Sequence, residues 1–223
     1  MRRAGTAARG STGRLRIGIF ASIASGFSHE ALQLYRAQYP KVEIDIVEGE
    51  PRTHLRRLRE RQLDVALLTG RYDLPDLDSE VMWSEAVVLA VASEHRFAQL
   101  DQLPWSELRG ERFLVSLQEP GPEIYDWLTA RLGGLGETTD ILRCQVARET
   151  LFVKVALGLG LTVVSEAGAG IIYPNVVFKP IGDPADVLPF SAVWAPETDN
   201  PALRRFLSVL RALSCNGAPP PID

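Results

Sequence analysis

The chain has few of the residues that build covalent or metal cross-links. Only two of its 223 residues are cysteines, Cys144 and Cys215, and only three are histidines: His29, His54 and His95. The cysteines are far apart and lack CxxC spacing, so neither a disulfide framework nor a zinc site is expected, and a reducing cytoplasm fits this composition. Because the histidines also lack ligand spacing, the sequence predicts no bound metal.

Long apolar runs are also missing. The longest, Ala86–Ala92, is too short to span a bilayer and is typical of a buried strand. No apolar segment follows the arginines at the N-terminus, so neither a secretory signal nor a membrane partner is expected. The net charge of −4 argues against nucleic-acid binding by this chain, and the arginine run in 52–61 is interpreted as a solvated helix face.

What is present is an alternation of strand and helix patterns. In the first third, strands are predicted at 14–20, 41–48 and 64–68, with helices at 27–38 and 52–61. This β-α-β-α-β order implies a parallel sheet, and in such sheets ligands bind beyond the carboxyl ends of the strands. The chain is therefore predicted to be an α/β protein.

A second β-α-β-α-β set follows at 112–164, which predicts a second lobe. Between the sets, residues 77–92 are predicted to form two strands, of which Ala86–Ala92 suits a crossing between lobes. We assign lobe I to 14–87 and 180–214, lobe II to 88–179, a linker remnant to 1–13 and a disordered tail to 215–223. Strands at 176–181 and 191–195 and a helix at 201–213 complete the pattern.

Several segments together resemble one family. They are Gly13-Arg-Leu-Arg-Ile-Gly18, Tyr39-Pro-Lys-Val-Glu-Ile44, Leu63-Asp-Val-Ala-Leu-Leu68, Ala156-Leu-Gly-Leu-Gly-Leu-Thr-Val-Val164 and Pro201-Ala-Leu-Arg-Arg-Phe-Leu207. Their order and spacing resemble the effector-binding domain of LysR-type transcriptional regulators across 13–214. The resemblance implies a type-2 periplasmic-binding-protein-like fold, in which two α/β lobes are joined by two crossover strands and a small-molecule effector binds between them.

The resemblance also implies partners. Domains of this family pair as homodimers or homotetramers, and they reach DNA through an N-terminal winged helix-turn-helix that the present sequence does not contain. DNA contact is therefore assigned to a longer parent protein. The expected effector is an organic or aromatic acid.

Candidate effector-binding residues stand at the entrances of two helices and at strand ends, where backbone N–H groups and a positive helix dipole attract anions. They are Ser22, Ile23, Ser25, Thr69, Ser116, Gln118, Arg148 and Thr150. Alternatives remain open at this point. Ser22 could cap its own helix, Thr150 could do the same, and Arg148 could form a surface pair with Glu149 or another acid.

A dimer interface is predicted from helices with apolar residues on more than one face. The candidates are Ala31, Leu34, Tyr35, Gln38, Phe152 and Val155. The same residues could instead be buried under the sheets.

The leading interpretation is a ligand-sensing regulatory domain, with a solute-binding protein of a transport system as the alternative. An enzyme is not favoured, because Ser22, Ser116 and Glu119 include no base suited to activating a serine and no G-x-S-x-G occurs. Gly158-Leu-Gly160 lacks the third glycine of a dinucleotide fingerprint and is predicted to end a helix. No cofactor is expected.

Overall fold

The computed structural model describes residues 13–20, 22–118, 120–133, 140–183 and 186–217. In chain order the elements are β1 (Gly13–Ile19), α1 (Gly26–Gln38), β2 (Val42–Glu48), α2 (Pro51–Arg59), β3 (Val65–Thr69), β4 (Asp78–Ala92), β5 (Arg112–Ser116), α3 (Gly121–Gly133), β6 (Asp140–Cys144), α4 (Arg148–Ala156), β7 (Thr162–Ser165), β8 (Val176–Pro180), β9 (Val187–Trp194) and α5 (Pro201–Gly217). Short 3-10 helices lie at Arg96–Gln99, Trp105–Leu108 and Glu166–Gly170.

The chain divides into two compact units. Unit 1 runs up to Ser84 and resumes at Pro189, and unit 2 is Glu85–Leu188. Strand β4 carries the chain from unit 1 into unit 2, and β9 carries it back. Residues 1–12, 21, 119, 134–139, 184–185 and 218–223, which include nearly all of the predicted linker remnant and most of the predicted tail, lie outside the described residues.

Unit 1 contains the predicted parallel sheet, in the order β2-β1-β3-β9. Strand β1 runs parallel to both of its neighbours, with Leu15 opposite Ile44 and Ile17 opposite Val65. Strand β9 is antiparallel to β3. The β-α-β-α-β prediction for this part of the chain is confirmed.

Unit 2 repeats this order. Strand β5 is parallel to β6, and Leu161, directly before β7, exchanges backbone hydrogen bonds of 2.7 and 2.8 Å with Leu114 and Arg112 of β5. Strand β7 is in turn antiparallel to β4, with Val87 opposite Ser165, and β8 pairs antiparallel with β4 as well. The order β6-β5-β7-β4 therefore corresponds to β2-β1-β3-β9, as the sequence pattern predicts.

Helix ends follow local sequence rules. Pro51 occupies the first turn of α2, where its missing N–H costs nothing. Gly158 follows the end of α4 with φ of +70°, a left-handed conformation that favours glycine, so its predicted place at a helix end is confirmed. Helix α1 ends at Gln38, and its C-cap Tyr39 lies directly before Pro40, whose ring disfavours helical backbone in the preceding residue.

Three boundaries differ from the predictions. Residues 78–92 form one strand rather than two, because no glycine or proline interrupts them. The return to unit 1 falls after Leu188 rather than after residue 179. Backbone hydrogen bonds of Leu103 with Pro180 and Gly182, at 3.1 and 2.8 Å, hold that segment in unit 2. Helix α5 continues to Gly217, into the predicted tail.

Each unit has its own apolar core. In unit 1, Leu58, Ala66, Leu68 and Val193 are completely buried between α2 and the sheet. In unit 2, a cluster that includes Phe97, Phe113 and Leu128 fills one side of the sheet. A second cluster, around Leu114 and Phe152, lies under α4.

Candidate functional site

The first candidate opening is the start of α1 in unit 1. Ser25 occupies the N-cap position with extended backbone, its side chain makes no capping hydrogen bond, and the first turn contains no acidic residue. The first N–H groups of an α-helix have no partner within the helix, and the helix dipole adds a partial positive charge there. This opening therefore has the partial positive charge of an anion-binding position, with the acidic Glu30 one turn further along the helix in the same cavity.

The loop that leads into α1 is held by side chains from the first turn of the helix. The Ser28 hydroxyl donates to the Ser22 carbonyl at 2.9 Å, and His29 Nδ1 lies 3.0 Å from the Ile23 carbonyl. Ser22 Oγ accepts from the Ala24 N–H at 3.3 Å, so Ser22 forms a local turn and is not the helix cap. The capping alternative for Ser22 is therefore wrong, and its effector role stays a prediction.

Thr69 lies where predicted, at the carboxyl end of β3. It pairs with Phe190 of β9 and is half-buried. Its carbonyl accepts a hydrogen bond from the Tyr72 hydroxyl at 3.1 Å.

An aromatic stack beside the α1 opening was not predicted. Phe27 in the first turn of α1 stacks on Trp83 with ring centroids 4.8 Å apart, and Trp83 stacks on Phe190 at 4.9 Å with the rings nearly parallel. The three residues come from α1, β4 and β9, so no local spacing in the sequence points to the stack. Trp83 and Phe190 are buried, so the half-buried Phe27 is the ring of the stack that lines the cavity at the α1 opening.

Buried His54 anchors the end of β1. It lies on α2, its Nε2 lies 3.0 Å from the Ile19 carbonyl, and its Nδ1 is buried without a hydrogen-bond partner. A Cβ on Gly18 would lie 2.7 Å from Nδ1, so glycine is required for the ring to fit. Burial lowers the pKa of His54, and the hydrogen bond to Ile19 only partly opposes this effect.

An ion pair between Arg16 and Asp64 links two strands of the unit 1 sheet. Arg16 Nη2 and Asp64 Oδ1 are 3.1 Å apart, and the Arg16 backbone N–H donates to the same carboxylate at 2.7 Å. Burial alone would raise the pKa of Asp64, but these hydrogen bonds lower it below its usual range. The pair joins the middle of β1 to the residue directly before β3, away from the α1 opening.

In unit 2, Ser116 ends β5 as predicted, but its hydroxyl serves the fold. Ser116 Oγ donates to the Val146 carbonyl at 2.7 Å and accepts from the Gln118 N–H at 2.9 Å. The hydroxyl proton is therefore already used in joining β5 to the approach of α4. The Gln118 side chain is exposed, and Glu119 lies outside the described residues.

The second candidate opening is the start of α4. Ala147 occupies the N-cap position, where no side chain caps the helix, so the predicted cap by Thr150 is wrong. Thr150 is instead an exposed residue of the first turn. Arg148 is the first helical residue, and Glu149 follows it.

Arg148 carries the only cationic side chain in the first turn of α4. Its Nη2 lies 3.4 Å from the Gly168 carbonyl, and its guanidinium carbon lies 5.8 Å from the centroid of the Phe152 ring. Its Nε is buried without a hydrogen-bond partner. Within the described part of the chain Arg148 forms no salt bridge, so the predicted alternative of a pair with Glu149 is not found. A buried, unpaired guanidinium donor is suited to a carboxylate.

The predicted dimer residues are mostly core residues. Ala31 and Tyr35 of α1 and Phe152 and Val155 of α4 are 0 to 1% exposed, Leu34 is half-buried, and only Gln38 is exposed. The Tyr35 hydroxyl donates to the Ala202 carbonyl at 2.9 Å, and burial raises its pKa to about 12. The prediction is wrong for the four buried residues, because they are covered within the chain itself, Tyr35 by Phe206 of α5 among others.

Neither a metal cluster nor a membrane span is found in the part of the chain that the structure describes. No group of three or more His, Cys, Asp or Glu side chains there is placed to hold a metal ion. Among the same residues, no helix is both long and apolar enough to cross a membrane.

The architecture of two α/β units is shared with solved structures. CbnR, a LysR family transcriptional regulator, matches with a TM-score of 0.80 at 18% identity, covering 92% of this chain and 71% of CbnR. The BenM effector binding domain with its effector benzoate also matches at 0.80, with 20% identity over 93% of this chain and 96% of that domain. These neighbours have the type 2 periplasmic-binding-protein-like fold, so the predicted fold class is confirmed.

Residues 8–214 match the LysR substrate binding domain, and the chain belongs to that family. Two curated relatives are the transcriptional regulator XapR of Escherichia coli, 24% identical over 208 residues, and the probable regulator LrrA of Synechococcus elongatus, 30% identical over 210 residues. They cover 91% and 89% of this chain, which spans about two thirds of their length, 68% and 66%. These relatives are transcriptional regulators and do not favour a transport protein.

Proposed function

We propose that this chain is the effector-sensing domain of a LysR-type transcriptional regulator and that it recognises a small organic carboxylate. Membership of the LysR substrate binding domain family supports the regulatory role. The observation that carries the carboxylate is Arg148, whose buried Nε lacks a partner at the opening of α4. A carboxylate would pair with the charge of the half-buried guanidinium, and a small side-chain movement would bring the buried Nε to it.

Unit 1, considered by itself, offers a second candidate anion position. The α1 opening has N–H groups without a capping side chain, and the half-buried Phe27 ring lines the cavity there. An acid with an aromatic or other apolar body fits this opening better than a strongly hydrated inorganic anion. We infer that binding changes the population of conformations, which the parent regulator transmits to DNA.

The domain is proposed to bind its effector without transforming it. The Ser116 hydroxyl already bonds the Val146 carbonyl and the Gln118 N–H, so it is not placed as a nucleophile beside a base. The regulators among the relatives support this assignment, and they support a cytoplasmic place of action for the parent protein.

Thermal-shift screening with matched pairs of ligands tests the proposal. Small aliphatic and aromatic carboxylates would each be compared with the corresponding neutral amide, beginning with benzoate and benzamide. We expect at least one carboxylate to raise the melting temperature in proportion to its saturation while its amide does not. If carboxylates and amides gave equal shifts, the charge-based site would be wrong.

We also propose that the domain self-associates, through residues other than those predicted. Val153 of α4 and Leu157, which directly follows the helix, are 57% and 69% exposed, and neighbouring Leu159 is 49% exposed. Apolar side chains clustered at the surface often mark a protein interface. A second copy of the chain is the occupant that the dimeric or tetrameric family pattern predicts.

A further inference from the structure

A buried carboxylate lies where β4 enters unit 2. Glu85 is 6% exposed, and its Oε2 accepts a hydrogen bond from the Ala167 N–H at 3.1 Å. The ladder between β4 and β7 ends at the pair of Val87 and Ser165. Glu85 lies two residues before Val87 on β4, and Ala167 lies two residues after Ser165, in the 3-10 helix that follows β7. The carboxylate therefore takes the place of the next backbone acceptor.

This contact fixes the beginning of the 3-10 helix Glu166–Gly170. Ser165 stands at its N-cap position, and no side-chain hydrogen bond from Ser165 caps the helix. The unpaired N–H groups at a helix start favour a negatively charged acceptor, and the Glu85 carboxylate supplies one.

The same 3-10 helix forms the surface on which Arg148 rests. The Gly168 carbonyl accepts from Arg148 Nη2 at 3.4 Å. A Cβ on Gly168 would lie 2.5 Å from Nη2 and 3.2 Å from Val164 Cβ, so the guanidinium packs against bare glycine backbone. Any displacement of Gly168 would consequently move the Arg148 guanidinium.

We propose that Glu85 is a positioning residue for Arg148. The carboxylate holds Ala167, the adjacent Gly168 seats the guanidinium, and the Arg148 Nε is thereby kept in its buried, unpartnered position. The inference rests on the proposed function in treating Arg148 as the anion-binding group. It makes the strand that joins the two units a determinant of the effector site in unit 2.

Arginine-selective ¹⁵N NMR of the whole chain without ligand tests the proposal. The Nε–H resonance of Arg148 would be assigned by its loss in Arg148→Lys. We expect Glu85→Met and Gly168→Ala to shift or broaden this resonance, and Glu85→Gln, which keeps an acceptor oxygen, to leave it near the wild-type position. Glu94→Met, the same substitution at an exposed acidic residue of unit 2, should not affect it.

A milder variant, Glu85→Asp, guards against loss of folding in Glu85→Met. Glu85→Asp keeps the charge but withdraws the carboxylate by one methylene, and it should shift both the Ala167 amide and the Arg148 Nε–H resonances. If Glu85→Met does not fold, the spectrum of Glu85→Asp tests the proposal in its place. An unshifted Arg148 resonance in a folded Glu85→Met or Glu85→Asp protein would overturn the proposal.

A separate titration with benzoate distinguishes this inference from the proposed function. If the Arg148 resonance responds to substitution of Glu85 but carboxylate binding does not depend on Arg148, the positioning role stands and Arg148 is not the ligand-binding group. If carboxylate binding depends on Arg148 but the Arg148 resonance does not respond to substitution of Glu85, the proposed ligand group stands and the positioning role is wrong.

Discussion

At the scale of single residues, His54 makes stability depend on pH. Its pKa is lowered in the folded protein, so below about pH 6.5 the unfolded chain takes up a proton that the folded chain does not bind. The free energy of unfolding should therefore fall as the pH is lowered from 7.5 to 5.5. Urea unfolding at several pH values should show this loss in the wild type and a smaller loss in His54→Gln.

A matched variant separates titration from packing. Leu58 is completely buried on the same helix, and Leu58→Ala should cost about 2–5 kcal/mol at every pH. If His54→Gln retained the full wild-type pH dependence, the stability change would not come from His54.

Gly18 is the second residue with a specific structural requirement. A Cβ there would lie 2.7 Å from both His54 Nδ1 and Leu63 Cδ1, so Gly18→Ala should destabilise the protein by about 1–3 kcal/mol through overpacking. Gly133→Ala is the control, because a Cβ at Gly133 meets none of the described residues within 4 Å. Chemical denaturation measures both, and equal effects would contradict this account of the Gly18 packing.

At the scale of elements, α4 has one buried face and one exposed apolar edge. Val153→Glu combined with Leu157→Glu should reduce self-association without unfolding the domain, because both side chains are more than half exposed. Sedimentation velocity measures the change. Ile172→Glu places the same charge at another exposed apolar residue, 94% exposed, and should leave association unchanged. Equal loss in both proteins would assign association to a different surface.

The sequence predicted elements whose cause is local. Alternation in 41–48 and the run Val65–Leu68 follow from strand periodicity, and Gly158 marks a helix end because only glycine adopts its backbone freely. The boundary of unit 2 was misplaced because contacts of Leu103 with residues far along the chain decide it. The sequence cannot show such pairings directly.

The candidate site divides in the same way. Arg148 could be predicted, since a cation at a helix start is visible in the sequence. The contact of Arg148 with Gly168 and the hydrogen bond from Ala167 to Glu85 could not be predicted, because these residues are distant in sequence and meet only in the folded unit. The dimer prediction failed for the related reason that the periodicity of α1 and α4 does not say which partner covers an apolar face.

At the scale of the whole molecule, two α/β units repeat one strand order within the family of LysR substrate binding domains. Each unit presents a helix opening without a side-chain cap, α1 in unit 1 and α4 in unit 2. The central claim is that the molecule recognises a carboxylate and that the Arg148 guanidinium is its charged partner.

Isothermal titration calorimetry of the best carboxylate from the screen tests that claim most directly. Arg148→Met should weaken binding by about tenfold or more, as expected for the loss of a charge-assisted hydrogen bond worth about 1.5–3 kcal/mol. Arg143→Met removes another arginine of unit 2, whose guanidinium carbon lies 3.8 Å from the centroid of the Tyr125 ring. This variant should leave the affinity near the wild-type value. Equal affinities of wild type and Arg148→Met for the carboxylate would contradict the account.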